Sequence, residues 1–196
     1  MQGKTRTIAE ALWPATDGRD WGRQGALAFG GALLLALSAK LQLPFYPVPM
    51  TLQTLAVLVL AASYGPRLAM ATVALYLAEG LARLPVFAGA AAGPAYMFGP
   101  TGGYLLGFFA AAALVGWLAD LGGLRTPARL VATMCLGHFA IFVCGFAWLA
   151  TSIGAERAFV FGVAPFYAAT VVKTALAVAL IVAANRSLGR GRGGRP

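Results

Sequence analysis

One lysine stands in the middle of an apolar run, Thr170-Val171-Val172-Lys173-Thr174-Ala175-Leu176, 8 residues after Pro165 and 12 before Asn185. An ammonium at that depth in hydrocarbon costs about 3 kcal/mol or more unless it snorkels or finds a partner. Snorkelling is at the limit of its reach from ~12 Å below a helix end, so the spacing favours a lysine turned inward to hold a polar ligand group. Thr170, one turn earlier on the same face, adds a hydroxyl that can donate or accept. Gln53, flanked by Thr51 and Thr54, supplies amide donors and acceptors just after a proline-rich loop. Tyr46, Tyr104 and Tyr167 are either interfacial belt residues or pocket walls. Glu79 and Arg83 have the i, i+4 spacing of a helix-end ion pair. The single histidine, His138, is expected to hydrogen-bond to a neighbouring helix rather than to hold a ligand. Cys135 and Cys144 share one apolar run and read as two small apolar side chains. With no zinc spacing, no phosphate-binding loop and no GxGxxG after a strand, nucleotide or metal chemistry within the chain is not expected.

These groups need elements to carry them, and composition says which. The 196 residues are 60% hydrophobic and only 11% charged, with a mean hydropathy of +0.77, which excludes a cytosolic globular enzyme. Residues 84–119, 130–155 and 174–185 carry no charge at all and read as bilayer-spanning material. Apolar runs between breakers predict an all-α membrane protein of six transmembrane helices, at about Gly25–Leu43, Thr51–Tyr64, Pro66–Leu84, Tyr104–Leu121, Pro127–Ile153 and Val163–Asn185. Pro44, Pro47 and Pro49 forbid helix between the first two. Eight Gly and Pro residues between Pro85 and Gly103 make a structured loop, which lipid does not tolerate unless protein or a cavity satisfies its backbone.

The net charge of +9 acts here as a topology signal rather than a nucleic-acid footprint. Six spans put both termini on one side, together with eleven basic residues: Lys4, Arg6, Arg19, Arg23, Arg67, Arg125, Arg129, Arg186, Arg190, Arg192 and Arg195. The opposite face has only Lys40, Arg83 and Arg157. Cytoplasmic termini follow, with the loops at 44–50 and 85–103 outside. The chain divides into a cytoplasmic segment 1–24, without signal-peptide character, a transmembrane substrate-binding domain 25–185, and a low-complexity basic tail 186–196 near anionic lipid. Ala28, Ala32 and Ala36 form a small-residue stripe on the first helix, fit for close approach by another helix, of a partner or of the same bundle.

Three strings occur in order along this scaffold: Pro47-Val48-Pro49-Met50-Thr51-Leu52-Gln53-Thr54, Leu84-Pro85-Val86-Phe87-Ala88-Gly89, and Gly99-Pro100-Thr101-Gly102-Gly103-Tyr104-Leu105-Leu106-Gly107-Phe108. Together they resemble the BioY family, the biotin-specific substrate-capture subunits of energy-coupling-factor transporters, over roughly residues 27–185. The resemblance extends to Pro165-Phe166 ahead of Lys173, the position of the family's ligand-contacting lysine. It departs at Thr170, where the family commonly has aspartate. Threonine cannot neutralise Lys173, which leaves that charge for a ligand group.

What the resemblance implies is high-affinity capture and uptake of biotin at the plasma membrane of a prokaryote, by a chain that is not an enzyme and has no cofactor. Lys173, Thr170, Gln53, Thr51, Tyr46, Phe87, Gly89, Tyr104 and Tyr167 are the expected substrate-binding residues. A transmembrane coupling subunit and ABC-type ATPases are the expected partners, with Ala28, Ala32 and Ala36 as the docking face. The alternatives are capture of another vitamin by the same fold, or a membrane-embedded enzyme using Lys173, His138 and Glu79.

Overall fold

The computed structural model describes residues 7–14 and 20–192; Lys4, Arg6, Arg19 and Arg195, counted above for topology, lie outside them. The described chain is mostly helical. A short helix α1 (Ile8–Leu12), closed by a Thr7/Glu10 capping box, precedes α2 (Trp21–Lys40), which starts earlier than expected because Asp20 accepts from the Arg23 amide as its N-cap. α2 also stops earlier. Gln42–Leu43 (β1) pairs antiparallel with Met50–Thr51 (β2), in the register Gln42↔Thr51 and Leu43↔Met50, so the proline-rich stretch is the tip of a small ribbon.

Helix α3 (Gln53–Tyr64) ends at Gly65, whose φ of 76° needs no Cβ penalty, and α4 (Pro66–Leu81) restarts at once with proline in its first turn. The loop at 85–103 is irregular apart from one turn, α5 (Pro94–Met97). α6 (Gly102–Leu118) runs on through a π-helical turn, Ala119–Gly123. α7 (Pro127–Ile153) has the expected bounds, set by the Thr126 cap with Pro127 and by Gly154 at φ 84°. A helix that the sequence does not announce, α8 (Ala155–Gly162), packs back on α7 through its buried Ala158 and Gly162. A 3-10 turn (Ala164–Phe166) leads into α9 (Tyr167–Arg192), which continues beyond the expected end at Asn185 into the basic tail.

α6 is the hub of the bundle, touching α3, α4 and α7. Its buried face carries four glycines among larger apolar residues. A Cβ on Gly107 would lie 2.8 Å from the Ile141 Cα, and one on Gly116 would lie 2.5 Å from the Pro66 nitrogen, so backbones touch where side chains would stand. α9 is the opposite case. Lys173, Ala177 and Ile181, at i, i+4 and i+8, form its buried stripe, while Val171, Val172, Leu176 and Leu180 point outward.

The outward faces of α2, α6 and α7 are likewise apolar, with Phe29, Leu33, Leu37, Leu106, Phe139 and Val143 exposed. Three helical stretches, Gly102–Gly123, Pro127–Ile153 and Ala155–Leu188, are long and apolar enough to cross a membrane. Together these features mark a membrane protein.

Two expectations are corrected. The Ala28/Ala32/Ala36 stripe faces inward: all three are buried in the bundle beside Leu35 and Ala39, and on the same face a Cβ on Gly31 would meet Thr72 of α4 at 2.6 Å. The small side chains serve close packing inside the bundle rather than a surface for a partner. Glu79 and Arg83 form no ion pair. α4 ends at Leu81 and Arg83 has φ 68°, so the i, i+4 geometry is lost.

Candidate binding pocket

The ribbon register fixes the first wall of a pocket. Pairing of Gln42 with Thr51 buries Thr51 at the start of α3, where its hydroxyl accepts from the Gln53 amide at 3.3 Å and donates to Gln53 Oε1 at 3.2 Å. Its carbonyl oxygen faces α9. Lys173, only 7% exposed, reaches across to donate to that carbonyl at 2.6 Å and to the Thr54 hydroxyl at 3.2 Å. Among the described residues no carboxylate pairs with it. A buried ammonium held by neutral oxygens keeps an unneutralised charge, which favours an anion or a strong carbonyl acceptor within reach.

Lys173, Thr170, Gln53, Thr51 and Tyr104 all line one pocket of about 540 Å³, its open mouth included. Its other surfaces are apolar or aromatic, from Leu105, Phe108, Ile141, Phe142 and Phe166. Few polar groups in an apolar cleft is the usual make-up of a small-molecule site. Tyr104 is fixed from behind: its hydroxyl donates to the Gly162 carbonyl at 2.7 Å, and its ring occupies the space a Cβ on Gly145 would need.

The remaining expected residues are placed elsewhere. Tyr46, at the ribbon tip, is 90% exposed. Tyr167 is 58% exposed and packs edge-on to Phe159; six residues before Lys173, it lies about two-thirds of a turn round the helix. Phe87 is fully buried one layer behind the pocket, stacked on Tyr96 at 5.0 Å and edge-on to Tyr76 at 5.6 Å. Gly89 turns the loop at φ 63° and lends its carbonyl to Lys40. Phe87 thus positions Tyr96, which does line the pocket. Burial pushes the Tyr96 phenol above its ordinary pKa, so it stays a neutral donor.

His138 bonds across helices as expected, with its Nδ1 3.2 Å from the Thr174 hydroxyl and 3.2 Å from the Met134 carbonyl. It lies behind the pocket rather than in its lining.

Sequence reasoning missed Lys40 and Tyr76. Lys40 closes α2 and donates to the carbonyls of Pro85, Phe87 and Gly89, holding the outer loop against the bundle at a helix C-terminus that suits a cation. Tyr76 is fully buried and joins Gln53 to the Val86 carbonyl. The signal for Tyr76 was present: Thr72, Tyr76 and Glu79 recur at helical spacing along an apolar helix.

Comparison with known proteins agrees with this geometry. The BioY family model matches residues 11–190. The "Probable biotin transporter BioY" of Pyrococcus horikoshii is 36% identical over 145 residues, covering 74% of this chain and 85% of that protein. "Biotin transporter BioY2" of Lactococcus lactis is 35% identical over 161 residues, covering 81% and 87%. The crystal structure of the S-component for biotin from an ECF-type ABC transporter has the same fold, with a TM-score of 0.74 at 22% identity over 85% of this chain and 93% of that one.

Proposed function

The chain belongs to the BioY family, and from that premise we propose that it captures biotin for uptake, as the substrate-specific subunit of an energy-coupling-factor transporter. The observation that carries the reading is Lys173, a buried cation with no acidic partner among the described residues, set beside Gln53 and Thr51 in an apolar pocket. Biotin is complementary in chemistry: an apolar body, a ureido group with two N–H donors and a carbonyl, and one carboxylate. Lys173 takes an oxygen of that ligand, Gln53, Thr51 and Thr170 supply neutral hydrogen bonds, and Tyr104 is an aromatic wall.

In this reading α2, α3, α4, α6, α7 and α9 are the six crossings, both termini are cytoplasmic and the pocket opens under the outer loops. The eleven-to-three division of basic residues supports that orientation. α3, with 12 residues and about 18 Å of rise, is shorter than the ~30 Å core, and the ribbon before it completes the path. Coupling and ATPase subunits of the transporter would supply the energy.

An enzyme reading has less support. His138 neighbours Thr174 but does not line the pocket, Glu79 lies on another helix, and no group of three metal-ligating side chains occurs among the described residues. The test is equilibrium binding to the detergent-purified chain of biotin against other vitamins. Tight retention of biotin alone is expected; preference for another vitamin moves the protein to a different substrate, and retention of none ends the capture reading.

A further inference from the structure

The Tyr76 hydroxyl has two neighbours of known character. The Val86 carbonyl, 3.2 Å away, can only accept, so the phenol donates its proton there. The Gln53 group 2.6 Å from the same oxygen must then be a donor, its NH2. That settles which way the carboxamide faces. Its nitrogen points back to α4 and Tyr76, which does not line the pocket, and its oxygen points to Thr51, which does.

We infer that Tyr76 is a positioning residue that holds the Gln53 carboxamide with its oxygen toward the pocket, so that the site presents an acceptor for a ligand N–H. The inference rests on the biotin reading for its ligand, whose ureido ring carries two such N–H groups. A carboxamide oxygen has two acceptor positions and the Thr51 hydroxyl uses one. Without Tyr76 the amide is free to flip, and its NH2 would then oppose the ligand's N–H and leave both unpaired. The ring needs no help from its hydroxyl to stay in place, being packed on Phe87. The outer loop takes part as well, because Lys40 grips the carbonyls on either side of Val86.

Biotin binding is measured on wild type, Tyr76→Phe, Gln53→Met and the double variant, with thermal melting of each. Tyr76→Phe should weaken biotin binding about five- to tenfold, with melting lowered but still cooperative, since the fold is kept while two hydrogen bonds are lost. The same change in the Gln53→Met background should have almost no further effect, because Tyr76 acts through Gln53. A full second loss in the double variant, or an unaltered affinity in Tyr76→Phe, overturns the inference. If wild type itself retains no biotin, the capture reading fails, and the inference is then read from the Gln53 side-chain amide protons by NMR. Slow solvent exchange in wild type, lost in Tyr76→Phe, supports it, and equal exchange in both refutes it.

Discussion

The pocket stands between two walls built on different principles. Along α6 and α7 the wall is made by close approach: a Cβ on Gly103 would lie 2.2 Å from the Trp148 Cβ and 2.5 Å from the Cys144 carbonyl, and one on Gly145 would strike the Tyr104 ring at 2.3 Å. Between α3 and α9 the wall is made by reach: long Lys173 spans to Thr51 and Thr54, while most of α9 faces outward and Thr174, behind the pocket, meets His138 of α7. The first wall has no slack and the second has side chains that can exchange partners. A rigid half sets the shape of the site and an adjustable half carries its charge.

The contrast can be broken most forcefully at Gly103. Gly103→Leu should destabilise the fold by about 3 kcal/mol or more, since backbone and the Trp148 stem both stand where the new side chain must go. Thermal melting and biotin binding in detergent should fall together. A stable Gly103→Leu protein with merely weakened binding would show that the first wall yields like the second.

Lys173→Met should do the reverse, leaving melting nearly intact while affinity drops ten- to a hundredfold, the ~1.5–3 kcal/mol of a charge-assisted bond. Unaltered affinity would remove the lysine from the site. At the rim, Lys40→Met frees three loop carbonyls that water can reach in part, so a loss of about three- to tenfold is expected, chiefly as faster release of biotin. Dissociation rates measured by filter retention decide it, and an unchanged rate would mean that the loop holds itself. The smallest effect belongs to Thr174→Val. Losing one interhelical bond to His138 should cost about 0.6 kcal/mol of stability and leave binding within about threefold; a large loss of binding would make α9 less adjustable than its exposure suggests.

Legibility in the sequence followed the kind of physics involved. α7 could be bounded at both ends, because Pro127 after a threonine cap and Gly154 are local instructions. The break between α3 and α4 was written in Gly65-Pro66 in the same way. Lys173 stood out because its cost in an apolar run depends on nothing but depth. The alanine stripe on α2 misled for a clear reason: small-residue spacing states that a helix comes close without stating which helix, and here the stripe is buried in the bundle of the same chain. Tyr46 and Tyr167 were ambiguous because an aromatic residue at an interface and one in a pocket have the same composition. α8 is short and sits between a glycine and a proline-containing turn, which reads as a connection until Ala158 is seen buried. Helical spacing marks Tyr76 as a polar residue on an apolar helix, but its partner 23 residues away, like those of Lys40 at 45 or more, is encoded by no local pattern.

The loop that carries Phe87 doubles back on α4, and the ring rests where Gly80 has no side chain: a Cβ there would come within 2.0 Å of it. Seven positions apart in the chain, the two residues fill a single volume, and neither can change alone without harm. They should therefore be inherited as one character. A relative with a methyl or larger group at the position of Gly80 is expected to have a small residue at that of Phe87, and Gly80→Ala here should be rescued by Phe87→Leu sooner than by any change elsewhere in the bundle.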